Sequence, residues 1–366
     1  MHKRARCIAA MRRWSPGSRA LALIVIAITT GAWTWTLPRG FPQPHVPPDN
    51  AMSASRVELG RHLFYDKRLS ANATYACASC HRQELAFTDG RASAIGATGE
   101  HHPRSAMSLA NVAYNASFTW SNAKIDRLEA QARVPMFNEH PIELGVRGHE
   151  PEVLDRLRAD QRYVAMFANA FPTERAPITI ANVTRAIASF ERTLLSGRSP
   201  YDRVVADGDH DALSPAAWRG MKLFFSNRAH CSECHAGFNF SGPVHYLGGP
   251  NAKAAFHDTG LNGRFRAPTL RNVAVTAPYM HDGRFTTLDA VIDHYIAREK
   301  LTIASDEKRD LIAFLESLTD EELLHDARFS DPWAIHGQTL PIRGQTLPIR
   351  GQTWPTRPMN LPTHLW

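Results

Sequence analysis

The feature that most constrains this chain is a five-residue frame that occurs twice. Cys77-Ala-Ser-Cys80-His81 and Cys231-Ser-Glu-Cys234-His235 both read Cys-x-x-Cys-His, which is the attachment signal of c-type haem. Two thiols one helical turn apart reach the two vinyl groups of one porphyrin, and the imidazole that follows meets the iron. A redox dithiol and a four-sulfur zinc site are rival interpretations, but neither needs a histidine at the same offset twice. The frames therefore predict two covalent haem c groups, with His81 and His235 as proximal iron ligands.

The positive charge of the chain is concentrated at its ends. The 366 residues carry a formal net charge of +7, but residues 1–38 hold six Lys or Arg and residues 337–366 hold three Arg, both without an acid. Without these nine charges the body has a net charge of about −2, so it offers no basic face to phosphates. We therefore expect no nucleic-acid partner. The length favours two globular domains.

The two ends of the chain predict a leader and a tail. Residues 2–19 are basic and residues 20–37 form an apolar run, which is the layout of a secretory signal. We expect residues 1–38 to direct export to the periplasm, either as a cleaved signal peptide or as an inner-membrane anchor through residues 20–37. Residues 337–366 repeat a seven-residue unit with a proline in every copy. The prolines argue against a coiled coil and predict a disordered tail.

Matching patterns flank the two haem frames. Gly60-Arg-His-Leu-Phe precedes the first frame as Gly220-Met-Lys-Leu-Phe precedes the second. Leu109-Ala-Asn-Val-Ala follows the first frame as Leu270-Arg-Asn-Val-Ala follows the second. Apolar residues recur three and four positions apart, and no strand alternation is sustained. We therefore predict an all-α chain of two cytochrome c-like haem domains related by internal duplication. Their predicted bounds are residues 45–200 and residues 201–335.

These motifs resemble the bacterial di-haem cytochrome c peroxidase superfamily. The resemblance rests on the two frames and on three further stretches, which are Leu59 to Asp66, Arg104 to Tyr114, and Ala267 to Gly283 with its Pro-Thr-Leu-Arg-Asn-Val and His-Asp-Gly motifs. It covers roughly residues 45–335. Within the superfamily the chain is most similar to the MauG-like branch, particularly the methanobactin-associated di-haem enzymes. The resemblance implies a peroxidatic haem in the first domain and an electron-transfer haem in the second.

Two positions place the chain in that branch. The sixth ligand of the second haem is a methionine in conventional members, and the corresponding residue is Tyr295. A histidine that blocks the first iron in many conventional members corresponds to Ala97. The resemblance therefore implies a tyrosine-ligated second haem and a first iron that is open without reductive activation. His101 and His102 follow a few residues later, and a shifted loop would bring either of them to the first iron.

A further motif implies the residues of the peroxide pocket. Trp120, Gln131 and Glu143 correspond to the family pattern that runs from a tryptophan through Gln-Ala to Pro-x-Glu. Peroxide cleavage needs a group that accepts a proton from one oxygen and returns it to the other, and Glu143 is the candidate. Gln131 would orient the oxidant, and Trp120 would relay oxidising equivalents between the haems. Glu139 is the rival acid, because residues 136–140 are longer than in conventional members.

The resemblance also implies a calcium ion between the two domains. Thr276 and Pro278 retain the half of that site formed by carbonyl oxygens. The asparagine that usually follows the arginine at Arg104 is replaced by Ser105. We therefore expect calcium with one changed oxygen ligand, and with water completing the coordination shell.

Three hypotheses for the function follow. The first is an exported di-haem oxidoreductase that uses hydrogen peroxide to reach a high-valent di-haem state and oxidises an aromatic residue of a partner protein. The second is a peroxide-scavenging cytochrome c peroxidase with a small cytochrome as electron donor. The third is a non-catalytic di-haem electron carrier, which would need two strong ligands on both irons. Ala97, Gln131 and Glu143 argue against the carrier, and Tyr295 with Ala97 favours the first hypothesis over the second.

Overall fold

Helices dominate the computed structural model, which describes residues 33–249 and 252–334. The α-helices are α1 (Ala54–Tyr65), α2 (Leu128–Phe137), α3 (Glu150–Arg158), α4 (Gln161–Ala170), α5 (Ile180–Glu191), α6 (Pro200–Asp202), α7 (Pro215–Phe224), α8 (Cys231–Cys234), α9 (Leu288–Glu299), α10 (Ser305–Glu316) and α11 (Glu321–His325). Strands β1 (His257–Asp258) and β2 (Arg264–Phe265) pair antiparallel. The predicted all-α class is confirmed, with this short hairpin as the one addition in the described part of the chain.

Two predictions from the sequence fall largely or wholly outside the described residues. The predicted signal, apart from residues 33–38, and the predicted tail at 337–366 are not described, so both stay predictions. Within 33–249 and 252–334, no helix is long and apolar enough to cross a membrane.

Four of the longer helices begin at hydroxyl caps. Ser53 and Thr179 accept hydrogen bonds from the backbone of the first turns of α1 and α5, and Ser214 and Thr287 do the same for α7 and α9. Such a cap satisfies one of the N–H groups that the first turn leaves without an intrahelical partner. The caps set where each helix starts and therefore which residues face the core.

The first core forms where α1 crosses α5. A Cβ atom on Gly60 would lie 1.9 Å from the carbonyl oxygen of Ala186, so the two backbones touch at a place that admits only glycine. Leu59, Leu63 and Phe64 on α1 are fully buried at this crossing. Cys77 and Ala78 of the first haem frame pack against the core that this crossing forms.

The second core repeats this arrangement with α7 and α10. A Cβ atom on Gly220 would lie 1.9 Å from the carbonyl oxygen of Asp310, and Phe224 and Phe314 pack beside it with ring centroids 5.2 Å apart. The Gly-x-x-Leu-Phe pattern noted in the sequence is therefore a pattern of close helix crossing in both halves.

A buried polar cluster joins the two halves around Ser196. Asn111 exchanges two hydrogen bonds of 2.8 Å with the backbone of Ser196, and the side chain of Asn272 donates to the Ser196 hydroxyl at 2.9 Å. Asp320 accepts from the backbone N–H of Gly197 at 2.8 Å. The matching asparagines of the two Asn-Val-Ala patterns thus meet at Ser196, close to the predicted domain boundary at residue 200.

The end of the described chain returns to the first core. Leu323 and Phe329 are buried in the same cluster as α1 and α5, and Trp333 packs against it. Gln83 donates to the carbonyl oxygens of Leu323 and Asp326 at 3.0 and 2.9 Å. Residues 321–333 therefore contact the first core, although the sequence-based division at residue 200 assigns them to the second domain.

The two glycine crossings generate the first prediction. Gly60→Ala and Gly220→Ala each force a methyl group against a backbone carbonyl that cannot move without separating the helices. We expect each to lower the free energy of unfolding by about 3 kcal/mol, measured by thermal unfolding of the haem-loaded protein. Glu58→Ala, at an exposed position of α1, is the control and should change stability by less than about 1 kcal/mol. A Gly60→Ala protein as stable as this control would contradict the close crossing.

Candidate haem sites and peroxide cavity

The first Cys-x-x-Cys-His frame folds as a tight turn with its histidine held by the backbone. Cys77 begins a 3-10 turn (Cys77–Ser79) and Cys80 ends it. The His81 Nδ1–H donates to the carbonyl oxygen of Phe87 at 2.7 Å, which leaves Nε2 as the nitrogen with a free lone pair. Burial lowers the pKa of His81, so the ring is neutral. A neutral imidazole oriented through its second nitrogen is what an iron ligand requires.

The second frame has the same geometry. Cys231 and Cys234 bound the single turn of α8, and the His235 Nδ1–H donates to the carbonyl oxygen of Phe240 at 2.9 Å. Burial lowers the pKa of His235 as well. Phe87 and Phe240 both have positive φ, at 63° and 51°, so the backbone takes the same unusual turn to present each carbonyl.

The chemistry of both donor sets fits haem c. All four cysteines are free thiols, and burial raises the pKa of Cys80 to about 12 and that of Cys231 to about 11. A redox dithiol needs a lowered thiol pKa, so these values argue against it. Within the described ranges, no three His, Cys, Asp or Glu side chains come together to hold a metal ion. The four-sulfur zinc site is therefore not formed.

A cavity opens beside the first frame, and its interior together with its open mouth occupies about 570 Å³. It is mostly apolar, with Gln131, Glu143 and Glu191 as its polar side chains other than Tyr75 and the haem-binding frame. The complete lining is Tyr75, Ala76, Cys77, Cys80, His81, Ile95, Gly96, Gln131, Ala132, Pro135, Glu143, Leu144, Ile187 and Glu191. The structure therefore brings the predicted first haem frame, Gln131 and Glu143 to one cavity.

Glu143 lines this cavity, and the backbone around it is held against the loop of residues 96–100. Its backbone carbonyl accepts from the Ala97 N–H at 2.7 Å, and the N–H of Ile142 donates to the Glu100 carboxylate at 2.6 Å. A Cβ atom on Gly96 would lie 1.9 Å from the Ile142 carbonyl oxygen. Burial raises the pKa of Glu143 to about 7, so both protonation states are populated near neutral pH.

Glu139, the rival acid, lies elsewhere. Its side chain is 63% exposed and pairs with Arg147 at 3.5 Å. It is absent from the cavity lining. Of the two candidate acids, Glu143 is therefore the one at the cavity wall.

The two loop histidines also lie outside the cavity. His101 is exposed, and its Nδ1 lies 3.3 Å from the Ser93 hydroxyl. The N–H of His102 donates to the Ala94 carbonyl at 2.7 Å, and its Nδ1 accepts from the Arg104 N–H at 3.1 Å. His81 is the one histidine among the described residues that line the cavity.

Sequence reasoning missed Glu191, the second carboxyl of the cavity. Glu191 is 5% exposed, its Oε2 has no hydrogen-bond partner in the described structure, and burial raises its pKa to about 8. It lies one helical turn after Ile187 on the apolar face of α5. An acid at a core position of an amphipathic helix is the signal that would have identified it.

Tyr295 lies near the second haem frame. It is half-buried on α9, and burial, with a smaller contribution from the nearby Cys234 and Cys231 thiols, raises its pKa to about 12. The phenol therefore keeps its proton unless a cation lies against its oxygen. No residue of α9 is fully buried, so this helix presents a partly open apolar face that includes Leu288 and Ile292.

Besides Glu191, sequence reasoning also missed His257 beside the second frame. The His257 Nδ1 lies 3.3 Å from the Cys234 sulfur.

Trp120 and Ser105 meet between the two halves. The indole N–H of Trp120 donates to the Ser105 carbonyl at 3.0 Å, and its ring stands edge-on to His281 with centroids 6.5 Å apart. The Ser105 N–H donates to the His281 carbonyl at 3.0 Å, and the Ser105 hydroxyl donates to the Met280 carbonyl at 3.0 Å. Ser105 thus joins the halves directly.

The other expected calcium residues lie on the turn before Met280. The Thr276 hydroxyl donates to the Val273 carbonyl at 3.1 Å, so it is engaged within its own turn. Pro278 follows Ala277 through a cis peptide bond. The calcium site stays a prediction.

The two frames generate a prediction about haem content. Replacing both Cys231 and Cys234 by alanine removes one thioether pair and leaves Cys77 and Cys80 intact. We expect the haem stain per chain to fall by half in protein produced with haem-attachment machinery, measured on denatured protein against total protein. The double variant of Cys77 and Cys80 is the matched control and should show the same loss. Wild-type protein that carries zinc and no iron would contradict both assignments.

Comparison with known proteins places the chain in a family. Residues 54–211 match the family model described as di-haem cytochrome c peroxidase. The chain is 37% identical over 297 residues to the methylamine utilization protein MauG of Methylorubrum extorquens, and the match covers 76% of this chain and 82% of the relative. It is 32% identical to cytochrome c551 peroxidase of Pseudomonas aeruginosa, covering 74% and 80%.

A solved structure agrees with these relatives. The crystal structure of a MauG-like protein associated with microbial copper homeostasis matches with a TM-score of 0.79 and 39% identity, covering 82% of this chain and 100% of that one. The resemblance stated from the motifs is therefore confirmed. The chain belongs to the di-haem cytochrome c peroxidase family, in its MauG-like branch, and is a peroxidase-type oxidoreductase.

Proposed function

We propose that this protein uses hydrogen peroxide to oxidise an aromatic residue of an exported partner protein. The observation that carries this choice is Tyr295, a phenol beside the thiols of the second frame, where a conventional peroxidase has a methionine. A hard phenolate favours oxidised iron more than a soft thioether does. The second site is therefore suited to share an oxidation rather than only to deliver one electron.

The residues that would hold the two haems are the two frames and Tyr295. Cys77 and Cys80 would form the thioethers of the first haem, and Cys231 and Cys234 those of the second. His81 and His235 would ligate the irons through Nε2, and the phenol of Tyr295 would be the further ligand of the second. Bound haem would supply the redox chemistry of peroxide reduction.

Glu143 is proposed as the acid–base group of the cavity. Its pKa of about 7 lets it accept a proton from peroxide and return that proton to the leaving oxygen. Gln131, in the same cavity wall, would orient the oxidant through its side-chain amide. Among the described residues that line the cavity, His81 is the one histidine, and there is no Lys or Arg. We therefore assign the proton transfer to carboxyl groups.

Trp120 is proposed as the relay between the halves. The indole is half-buried and held at both ends of the residue, by the Ser105 carbonyl at its Nε1 and by the Arg266 N–H at its own carbonyl. A relay that passes oxidising equivalents has to keep one position between the two sites, and these bonds supply that restraint.

The wider organisation completes the proposal. We propose that the halves, at residues 45–200 and 201–335, are haem domains related by duplication. Three features occur once in each half: a close helix crossing at Gly60 or Gly220, a phenylalanine of positive φ that presents its carbonyl to the haem-frame histidine, and an asparagine that hydrogen-bonds to Ser196. Unrelated domains would not be expected to repeat all three, so these features support duplication. We also propose export to the periplasm by residues 1–38 and a calcium ion near Thr276 and Pro278.

Peroxide scavenging is the second candidate. It is favoured by the 32% identity to cytochrome c551 peroxidase, and it would use the same cavity with a small cytochrome as electron donor. The non-catalytic carrier hypothesis does not agree with membership of a peroxidase family. Tyr295 is what separates the two remaining candidates.

Glu143 gives a prediction on rate and pH. Glu143→Gln should slow the reaction with peroxide by about 10²–10⁴-fold, the usual loss when a general acid–base is removed. The carboxylate form accepts the proton, so the wild-type rate should rise as the pH increases through about 7, and this rise should vanish in the variant. Stopped-flow spectra over pH 5–9 measure both effects. Glu139→Gln is the matched control and should react as wild type; the reverse result would transfer the role to Glu139.

Tyr295 gives the prediction that tests the proposed function. Fully oxidised wild-type protein should react with stoichiometric peroxide without prior reduction, with optical changes at both haems. In Tyr295→His, peroxide should still react at the first site while oxidation of the partner collapses. The exported proteins encoded beside this gene, co-expressed and examined by mass spectrometry for an oxidised Trp or Tyr, are the partners to assay.

One result would overturn this choice. Oxidised wild-type protein that stays inert to peroxide until one electron is added would identify a conventional scavenging peroxidase. Tyr295→Met should shift the wild-type behaviour in that same direction if the phenol is the deciding ligand.

A further inference from the structure

Three arginines are buried in the described part of the chain, and one of them lacks an acidic partner. Arg271 donates to the Asp202 carboxylate at 2.7 Å, and Arg192 donates to the Glu129 carboxylate at 2.8 and 2.9 Å. Arg266 is 9% exposed, and its Nε has no hydrogen-bond partner. The one side-chain contact of its guanidinium is from Nη2 to the sulfur of Met107 at 3.2 Å.

An unpaired buried guanidinium is unfavourable in a folded protein. Burial alone lowers the pKa of Arg266 to about 10, with no acid acting in the opposite direction. The next acid in the sequence after Arg266 is Asp282, which is already bound to Arg284. A thioether sulfur is a weak acceptor and does not replace an anion. The position therefore fits a group that brings its own negative charge.

The location of Arg266 indicates which group that is. The backbone of Met107, whose sulfur it contacts, lies against the His81 ring. Two residues after Arg266, the backbone of Pro268 lies against the His235 ring. Its own N–H donates to the carbonyl of Trp120 at 2.9 Å. Arg266 thus lies between the two proposed iron ligands and beside the proposed relay.

We propose that Arg266 is the counter-ion of the haem propionates and holds these carboxylates in the region between His81 and His235. A guanidinium binds carboxylates through paired N–H donors in a fixed plane, and Nε with its neighbouring Nη is such a pair. The inference rests on the two haems of the proposed function. The further claim is that the positive charge of Arg266 acts on both haems.

A positive charge near both irons favours the reduced state of each. Arg266→Met, which keeps much of the side-chain volume, should therefore shift both midpoint potentials to more negative values in spectroelectrochemical titration of the haem-loaded protein. Arg264→Met removes an exposed charge two residues away and should shift them less. Met107→Leu removes the sulfur contact but no charge, and both potentials should stay at their wild-type values.

The Met variant is not the sole test, since it leaves the propionates without a partner and can fail to accumulate. Arg266→Lys keeps the charge but lacks the planar pair of donors. The resonance Raman bending band of the propionates responds to their hydrogen bonds, so it should move in Arg266→Lys and stay unchanged in Met107→Leu.

The outcomes separate this inference from the proposed function. Wild-type protein with fewer than two haems per chain would defeat the proposed function itself. Two haems per chain with potentials in Arg266→Met no lower than in Arg264→Met, or with a shift confined to one haem, would overturn the shared counter-ion. An unmoved propionate band in Arg266→Lys would overturn it as well.

Discussion

The structure depends on backbone contact between crossing helices, once in each half. At Gly60 and Gly220 the helices approach so closely that a single methyl group would overlap a carbonyl oxygen of the partner helix. This closeness lets the flanking Leu and Phe side chains of α1 and α7 pack against α5 and α10 in buried positions. In the chain, short segments at residues 66–76 and 225–230 connect α1 and α7 to the two haem frames. Their position therefore follows from how the two helix pairs pack.

Within each frame, the backbone rather than a side chain orients the histidine. A carbonyl is a weaker hydrogen-bond acceptor than a carboxylate, so the imidazoles of His81 and His235 are less electron-rich than in a site with an acidic partner. The carbonyls are placed by Phe87 and Phe240, whose positive φ is costly for a residue with a side chain. Both phenylalanine rings are fully buried, and this packing offsets the backbone strain. The cores thus set the electronic character of the ligands.

The buried carboxyl groups and the buried guanidinium near the first histidine have different surroundings. Glu143 and Glu191 line the cavity beside the first frame, and burial raises the pKa of both. Arg266 lies on the side of Met107, between the halves, and burial lowers its pKa. Carboxyl groups that hold protons near neutral pH suit proton transfer to an oxidant. A permanent cation suits the control of electron transfer. In the proposed function, proton transfer and the control of electron transfer would therefore involve different parts of the interior.

The sequence by itself determined the attachment chemistry and the helical class of this protein. Covalent attachment needs two thiols and an imidazole within one turn of chain, so the two frames carry that information locally, and the same holds for the helix caps. Family motifs extended this to Gln131, Glu143, Trp120 and Tyr295. Only the tertiary structure distinguished the surroundings of Glu143 and Glu139, which are four residues apart and chemically alike: one lines a cavity and the other is exposed to solvent. It also revealed Glu191 and Arg266, whose properties come from burial and missing partners, and burial is created by contacts between residues far apart in the chain.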